Sequence, residues 1–459
     1  MVYANECGVS EHVRRSSFRV VVAGGGVAGL EALLALRDLA GDRVELKLVC
    51  PEPEFVYRPM AVGEPFGRGH AARHRLVDIA RDLGVTPIAE ALDAVRADER
   101  TAVTDAGREV AYDGLLVAVG AHSEPVFRRA LTWTPESDRE LFAGLLADLE
   151  EGYSKRVAFV VPPGVASALP AYELALMTAW QAWGMNQDDV EVAIYTHEEA
   201  PLGLFGPRAT AAVRQELVQA GVRAETGVYV AEAPGAPGEL VLHPGGRRLE
   251  AQRIVALPRA AGPALRGLPC DARGFVPTDP HGAVPGVAGV WAAGDAIAFP
   301  VKQGGLAAQQ ADAAAEAIAA AAGVDLEPRP FRPVLRGMLL TGRGSAWMRQ
   351  DLGGGAGEGE AERHALWWPP TKIAGRYLSP YLAALDGVDA VDAPTPPGEP
   401  VQLDLERELP SAADALRRAS LRSEETRRGC ARGAPRLAAE AQPGATLRLN
   451  APGHRAWLH

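Results

Sequence analysis

The sequence is short of cysteine, of lysine and of net positive charge. Only Cys7, Cys50, Cys270 and Cys430 occur in 459 residues, and no two form a Cys-x-x-Cys pair. This scatter excludes a disulfide scaffold, a cysteine zinc site and an adjacent redox dithiol, and no metal site is expected. No uninterrupted apolar run is long enough to span a bilayer. The 47 basic residues are outnumbered by 58 acidic ones, a net charge of −11, which argues against a nucleic-acid partner. Lysine is confined to Lys47, Lys155, Lys302 and Lys372, and the other 43 basic residues are Arg. Against so general a use of arginine, a retained lysine is informative, because an ammonium shifts its pKa on burial and a guanidinium does not.

What is present is ample apolar material, 47% of residues, with 50 Gly and 36 Pro. The length suggests two or three domains. The pair Arg14-Arg15 before Ser16-Ser17-Phe18 is compatible with a twin-arginine export signal. The better reading is a loose arm over residues 1–17 and a buried strand, which implies a cytoplasmic protein. Phe18–Ala23 (FRVVVA) reads as a parallel strand buried on both faces, Leu30–Ala40 as a helix and Val44–Val49 as the next strand. Residues 58–81 read as irregular. Gly84–Ala94, Ala102–Val110 and Tyr112–Val119 read as strands, with a turn at Ala106-Gly107. A second unit follows, with strands at Val157–Val161, Val190–Tyr195 and Arg253–Leu257, helices at Ala171–Trp183 and Ala209–Gly221, and a turn segment at Gly235–Arg247. Val287–Ala293 reads as a strand and Gly305–Ala322 as an alanine-rich helix. The fold class is therefore α/β, with two Rossmann-like units and a small C-terminal cap.

Between the first strand and the first helix lies Gly24-Gly25-Gly26-Val27-Ala28-Gly29. In the pattern Gly-x-Gly-x-x-Gly, the first glycine permits the tight turn, the second lets backbone N–H groups reach a pyrophosphate, and the third lets helix and strand approach. The helix N-terminus then presents its positive end to the phosphates. The strand–loop–helix–strand context turns a weak motif into a dinucleotide site. The acid that binds ribose hydroxyls at the end of the second strand is replaced by Cys50. Glu52, or the backbone of Cys50, is left for that role. A reactive thiol at Cys50 is disfavoured, since no partner thiol is near in sequence.

Two later segments point to FAD. Tyr112–Ala121 (YDGLLVAVGA) resembles the strand that returns beneath the cofactor in two-dinucleotide flavoproteins, which places Val119 and Gly120 there, with Leu92 nearby. Gly289–Asp295 (GVWAAGD) resembles their second FAD motif, in which Gly294 turns the backbone and Asp295 binds the ribityl chain. Phe55–Pro59 (FVYRP), Pro170–Glu173 (PAYE) and Pro300–Ala307 (PVKQGGLA) add further likeness. On these residues the chain resembles the FAD-dependent pyridine nucleotide–disulfide oxidoreductases. It is most similar to the sulfide:quinone reductase and flavocytochrome c sulfide dehydrogenase branch, with type II NADH dehydrogenases next. The likeness spans roughly residues 18–330, extends more faintly to 385, and leaves out the tail.

The resemblance implies a discontinuous FAD-binding domain over 18–150 and 262–328, a second Rossmann-like domain over 151–261, a cap over 329–390 and a tail over 391–459. The tail is read as disordered, with at most a short helix near Ala412–Ala419. It also implies that the helix at Gly304-Gly305 aims its N-terminus at the pyrimidine end of the flavin, with Gly305 in close approach and Lys302 one step before. Glu173, at the start of its helix, is the candidate proton relay. Arg58 stands where the flavocytochrome branch attaches flavin through Cys, so FAD is expected to be non-covalent. Ser167-Ala168-Leu169 carries no cysteine where the sulfide oxidisers have one. The second unit opens Val160-Val161-Pro162-Pro163-Gly164 instead of with a glycine loop, so NAD(P)H binding is doubtful, and His197, Glu198 and Glu199 read as surface residues. The segment Trp367-Trp368-Pro369-Pro370-Thr371-Lys372 reads equally as a flavin cover, an acceptor site, a peripheral membrane contact or a homodimer contact. The implied activity is electron transfer from a small-molecule donor through flavin to an acceptor such as quinone. An NAD(P)H:acceptor reductase and a non-catalytic flavin sensor remain as alternatives.

Overall fold

The computed structural model describes residues 17–135, 139–353 and 357–387, all within one compact unit. The N-terminal arm and the C-terminal tail lie outside the described residues. Strands β1 (Phe18–Ala23), β2 (Val44–Val49), β3 (Thr86–Ile88) and β4 (Gly114–Val117) belong to a first sheet. Strands β5 (Leu131–Thr132), β6 (Arg156–Val161), β7 (Glu191–Thr196), β8 (Arg223–Glu225) and β9 (Arg253–Ala256) form a second. β10 (Val290–Ala292) returns to the first. The first sheet has the order β10-β4-β1-β2-β3 and the second β5-β9-β6-β7-β8, every pair parallel. In the first sheet the strand order reverses at β1, between β2 and β4. That places a crevice above the carboxyl ends of β1 and β4.

Burial on both faces explains the continuous apolar strands. Val20, Val22, Leu46 and Leu48 face helices α1 (Val27–Ala40) and α2 (Leu76–Leu83) on one side of the first sheet. Val21, Ala23 and Val49 pack on the other side against Leu92, Val95 and Tyr112. In the second sheet Val157, Phe159 and Ile194 meet α3 (Arg139–Glu150) and α4 (Leu169–Gly184). Ala158, Val160 and Ala193 on its other face meet Val230, Leu240 and Leu242. Helix α5 (Pro207–Gln219) joins the same core as Ile194 through Ala209, Val213 and Leu217. Helix α6 (Gly304–Ala321) lies along α1, where Ala307, Ala311, Ala314 and Ala315 share a core with Ala28, Ala32 and Leu36. Small side chains on both helices allow this close approach.

The cap consists of the antiparallel strands β11 (Val334–Leu340), β12 (Ser345–Asp351) and β13 (Glu360–Glu362), an aromatic segment and helix α7 (Leu378–Leu385). Its strands join the core of α4 through Leu335, Leu339 and Met348, and α7 joins the core of α1 through Leu378 and Leu382.

Four local readings change. Residues 58–81 are ordered as a 3-10 run (Arg58–Phe66), a short strand (Arg73–Arg75) and most of α2, whose Leu76, Ile79, Ala80 and Leu83 are buried. The supposed turn at 235–247 contains the strand Ala236–His243, paired with Tyr229–Ala233 and Arg247–Arg248. The stretch 84–111 holds four short strands, of which only β3 enters the parallel sheet. Helix α3 follows none of the expected elements.

Candidate functional site

The glycine loop sits at the crevice above β1 and β4. Gly24 has φ +111°, and a Cβ there would lie 2.2 Å from the Ala118 carbonyl oxygen and 3.0 Å from the Val119 nitrogen. Only a glycine fits where the first turn meets the end of β4. A Cβ on Gly29 would lie 1.9 Å from the Gly24 carbonyl oxygen, so the helix starts hard against the turn. A Cβ on Gly26 would meet nothing within 4 Å, and Gly26 is exposed. The loop therefore keeps its tight packing inward and leaves one glycine opening outward. Gly26 is the N-cap of α1 and offers no side-chain cap. The first turn, Val27-Ala28-Gly29, carries no acid. An uncapped, acid-free helix start beneath an open glycine is a fit for a pyrophosphate.

Beneath Gly25, whose Cβ would lie 2.7 Å from Cys50 Sγ, the thiol donates to Glu52 Oε2 at 3.1 Å. Burial, reinforced by the Glu52 carboxylate, pushes the Cys50 thiol up to about 12. The Cys50 N–H donates to the Ile88 carbonyl at 3.0 Å, so it is spent within the sheet. Glu52 is exposed at the crevice rim. Leu92 is a core residue beside Val49 and Ala23. Gly120, three residues beyond the end of β4, has φ +80°.

The end of β10 closes the crevice. Gly294 has φ +77°, and a Cβ there would stand 3.0 Å from Ala28 Cβ, which brings Gly294-Asp295 onto the start of α1. The Gly294 N–H donates to Gln310 Oε1 at 2.9 Å. Burial raises the Asp295 pKa above the ordinary aspartate value, against the opposing pull of Lys302 and Arg58. Lys302 is turned inward: its Nζ donates to the Ile297 carbonyl and stands 4.0 Å from the Phe275 ring centroid. It is 6% exposed, and burial lowers its pKa to about 8. Its backbone N–H donates to the Ala166 carbonyl at 2.9 Å, which ties the approach to α6 to the loop after β6.

Glu173 has a partner that the motif alone does not assign. Its Oε1 lies 2.5 Å from Lys372 Nζ and accepts the Leu340 N–H at 2.9 Å. Burial raises the Glu173 pKa and lowers that of Lys372, while the pairing opposes both shifts. The adjoining Ile373 covers the start of α6, because a Cβ on Gly304 would lie 2.8 Å from Ile373 Cγ1. The Ile373 N–H donates to Tyr57 Oη at 2.7 Å. Gly305 lies next to Ala374, whose nitrogen would be 3.7 Å from an added Cβ. Lys372, singled out above as one of four lysines, and Tyr57, to which the sequence assigns no role of its own, are thus site neighbours. The scarcity of lysine was the available signal for the first, and only the FVYRP stretch pointed to the second.

The loop after β6 differs from the first. Pro162 and Pro163 have no N–H, and the Gly164 carbonyl accepts from Arg273 Nη2 at 3.1 Å and from the Ala260 N–H at 3.2 Å. Glu198, expected as a surface residue, is half-buried: its Oε2 accepts from Tyr172 Oη at 2.8 Å and from Thr196 Oγ1 at 2.9 Å.

A family model described as pyridine nucleotide-disulphide oxidoreductase matches residues 18–321. The chain belongs to this family. It is 30% identical over 301 residues to an NADH dehydrogenase-like protein of Mycobacterium tuberculosis, covering 61% of this chain and 73% of that one. It is 28% identical over 301 residues to the ferredoxin reductase component of a chlorobenzene dioxygenase from a Cupriavidus species, covering 62% and 68%. Its fold is similar to that of the sulfide:quinone oxidoreductase of Aquifex aeolicus, with TM-score 0.68 at 20% identity over 75% of this chain and 87% of that one. The chain is accordingly an FAD-dependent oxidoreductase, and the open Gly26 cradle and the Gly294 turn fit that cofactor. Among the described residues no helix is long and apolar enough to cross a membrane. No group of three or more His, Cys, Asp and Glu among them is arranged to hold a metal ion.

Proposed function

We propose that this flavoprotein passes electrons from a small-molecule donor to a quinone, with Glu173 and Lys372 managing the proton. In this reading residues 18–150 and 262–328 form the FAD-binding domain, 151–261 the second domain and 329–390 the cap. Gly24, Gly25, Gly26, Val27, Ala28 and Gly29 hold the pyrophosphate, Glu52 the ribose and Asp295 the ribityl chain. Val119 and Gly120 line the crevice, and Gly305 the start of α6. FAD, when bound, supplies two-electron acceptance and return.

The observation that carries the acceptor reading is the buried Glu173–Lys372 pair, set next to Ile373 over the start of α6. Quinone reduction consumes two protons, and a water-poor site needs a group to hold them. Burial raises the Glu173 pKa and lowers that of Lys372, and the 2.5 Å contact gives a proton a direct path between Lys372 Nζ and Glu173 Oε1. Lys372 Nζ donates one of the two protons, Glu173 Oε1 takes up a replacement from water and returns it to the Lys372 amine, and the second proton also comes from water. Lys302, with a pKa of about 8, holds charge beside Asp295 on the other approach to α6.

The test is an anaerobic titration of the purified protein, followed by flavin absorbance, first with NADH and then with dithionite and duroquinone. Reoxidation of reduced flavin by duroquinone, slowed at least tenfold in Glu173→Gln, is expected. Reoxidation unchanged in that variant overturns the proton assignment, and reduced flavin indifferent to quinone overturns the acceptor. Slow or absent bleaching by NADH is expected, because the loop after β6 lacks donors for a second pyrophosphate.

A further inference from the structure

A cleft of about 1010 Å³ opens at the carboxyl ends of β6 and β7. It is the position where a parallel sheet of this order would receive a nucleotide. The local chemistry does not suit one. Pro162 and Pro163 lack N–H groups, Val165 bridges to Arg259, and the Ala166 carbonyl is taken by Lys302. Helix α4 starts no better: Pro170 has no donor, the Leu169 N–H points to Ser167 Oγ at 3.4 Å, and the Ala171 N–H bonds Ala168 at 3.0 Å. The turn after β6 therefore has no N–H at Pro162 and Pro163, and at the start of α4 Pro170 has none and the Leu169 and Ala171 N–H groups bond within the chain, so the glycine cradle of the first sheet is not repeated here.

The rest of the lining points to a different occupant. Leu202, Leu204, Phe205, Val301 and Leu335 give the cleft an apolar lining. Arg214, exposed on α5, lines the cleft and takes part in no ion pair among the described residues. On another wall His197 lies 3.2 Å from the Val161 carbonyl through Nδ1. We propose that this cleft binds a small organic anion with an apolar body, its acidic group on Arg214 and its ring or chain against Leu204 and Phe205. Pro300-Val301 places the ligand at the approach to Lys302 and α6. The inference extends the flavoprotein reading by naming a ligand class for its second sheet, yet binding itself requires no turnover.

The test uses the full-length protein as purified, with flavin absorbance recorded on every sample. Isothermal titration with 1-naphthoate is expected to show saturable binding of one equivalent. Arg214→Ala should weaken it about tenfold, as loss of one charge-assisted contact does. Ala211→Trp, an exposed helical position on the cleft wall, should abolish binding by filling the space. ADP-ribose should neither bind nor displace 1-naphthoate. No heat with 1-naphthoate, or binding unchanged in both variants, overturns the proposal, and so does displacement by ADP-ribose. A protein that binds 1-naphthoate but carries no flavin band, even after FAD is added, refutes the flavoprotein reading and leaves the cleft assignment standing.

Discussion

Replacing Lys372 by methionine tests the buried pair most directly. The Glu173 and Lys372 side chains are 1% and 4% exposed, and their charged atoms lie 2.5 Å apart. Without the ammonium, the Glu173 carboxylate keeps only the Leu340 N–H, in surroundings that already raise its pKa. Breaking one side of a buried pair costs about 3–5 kcal/mol at neutral pH. For a folded unit of this size that corresponds to a fall in Tm on the order of 4–7 °C. The sign with pH follows from linkage. A carboxyl whose pKa is raised in the folded state destabilises the protein progressively as pH rises from the ordinary carboxylate range through the folded value. Lys372→Met pushes that folded value further up, so its deficit should be smaller at pH 5 than at pH 8. Glu173→Gln/Lys372→Met removes the stranded charge and should recover at least half of the loss. Differential scanning fluorimetry on tryptophan emission at both pH values provides the comparison. A single variant within about 1 °C of the parent at pH 8, or a double variant no better than the single, would refute this account.

Three further outcomes follow from the packing. Gly26→Ala should leave the apoprotein fold intact and lower its FAD content, because its Cβ meets only open space, whereas Gly29→Ala should impair folding itself; flavin stoichiometry and circular dichroism separate the two. Asp312, buried beside Glu31 on α1, has its pKa pushed up to about 8, first by burial and then by the Glu31 charge. Its contribution to stability therefore falls as pH rises from the ordinary aspartate range through neutrality, and Asp312→Asn should flatten that part of the pH–stability curve; a parallel curve would contradict it. Cys50, with its thiol at about 12, should resist iodoacetamide at pH 8 in the native protein, while denatured protein is alkylated there, as mass spectrometry of its peptide would show.

The parts of the fold that could be read ahead were those with a strong local signal. Apolar strands such as Phe18–Ala23 and Arg156–Val161 sit in parallel sheets covered on both faces, and so carry their pattern openly. The glycine loop was readable because steric needs at Gly24 and Gly29 select one residue type. Short elements escaped. Helix α2 spans eight residues after a run rich in Pro and Gly, and the strand Ala236–His243 contains Pro and Gly that read as a turn. At the site, the likeness to known flavoproteins pointed to Glu173 and Lys302 but not to their partners. Glu173 meets a lysine 199 residues later in the chain, and Lys302 folds back on Ile297 and the Phe275 ring. Contacts between distant segments leave no periodicity in a single sequence.

Glu31, in the first helix, has one more lesson in it. Its carboxylate is fully buried and accepts the N–H groups of Tyr377 and Leu378, each at 2.7 Å. Those donors are made about 345 residues after it. During synthesis, the first helix therefore waits with an unsatisfied acid while nearly all of the described chain emerges, and β10 arrives almost as late to complete the first sheet. The second sheet draws its strands from residues 131–256 and can close well before. The first sheet and first helix can thus be completed only once the end of the described chain is available, whereas every strand of the second sheet is in hand by residue 256.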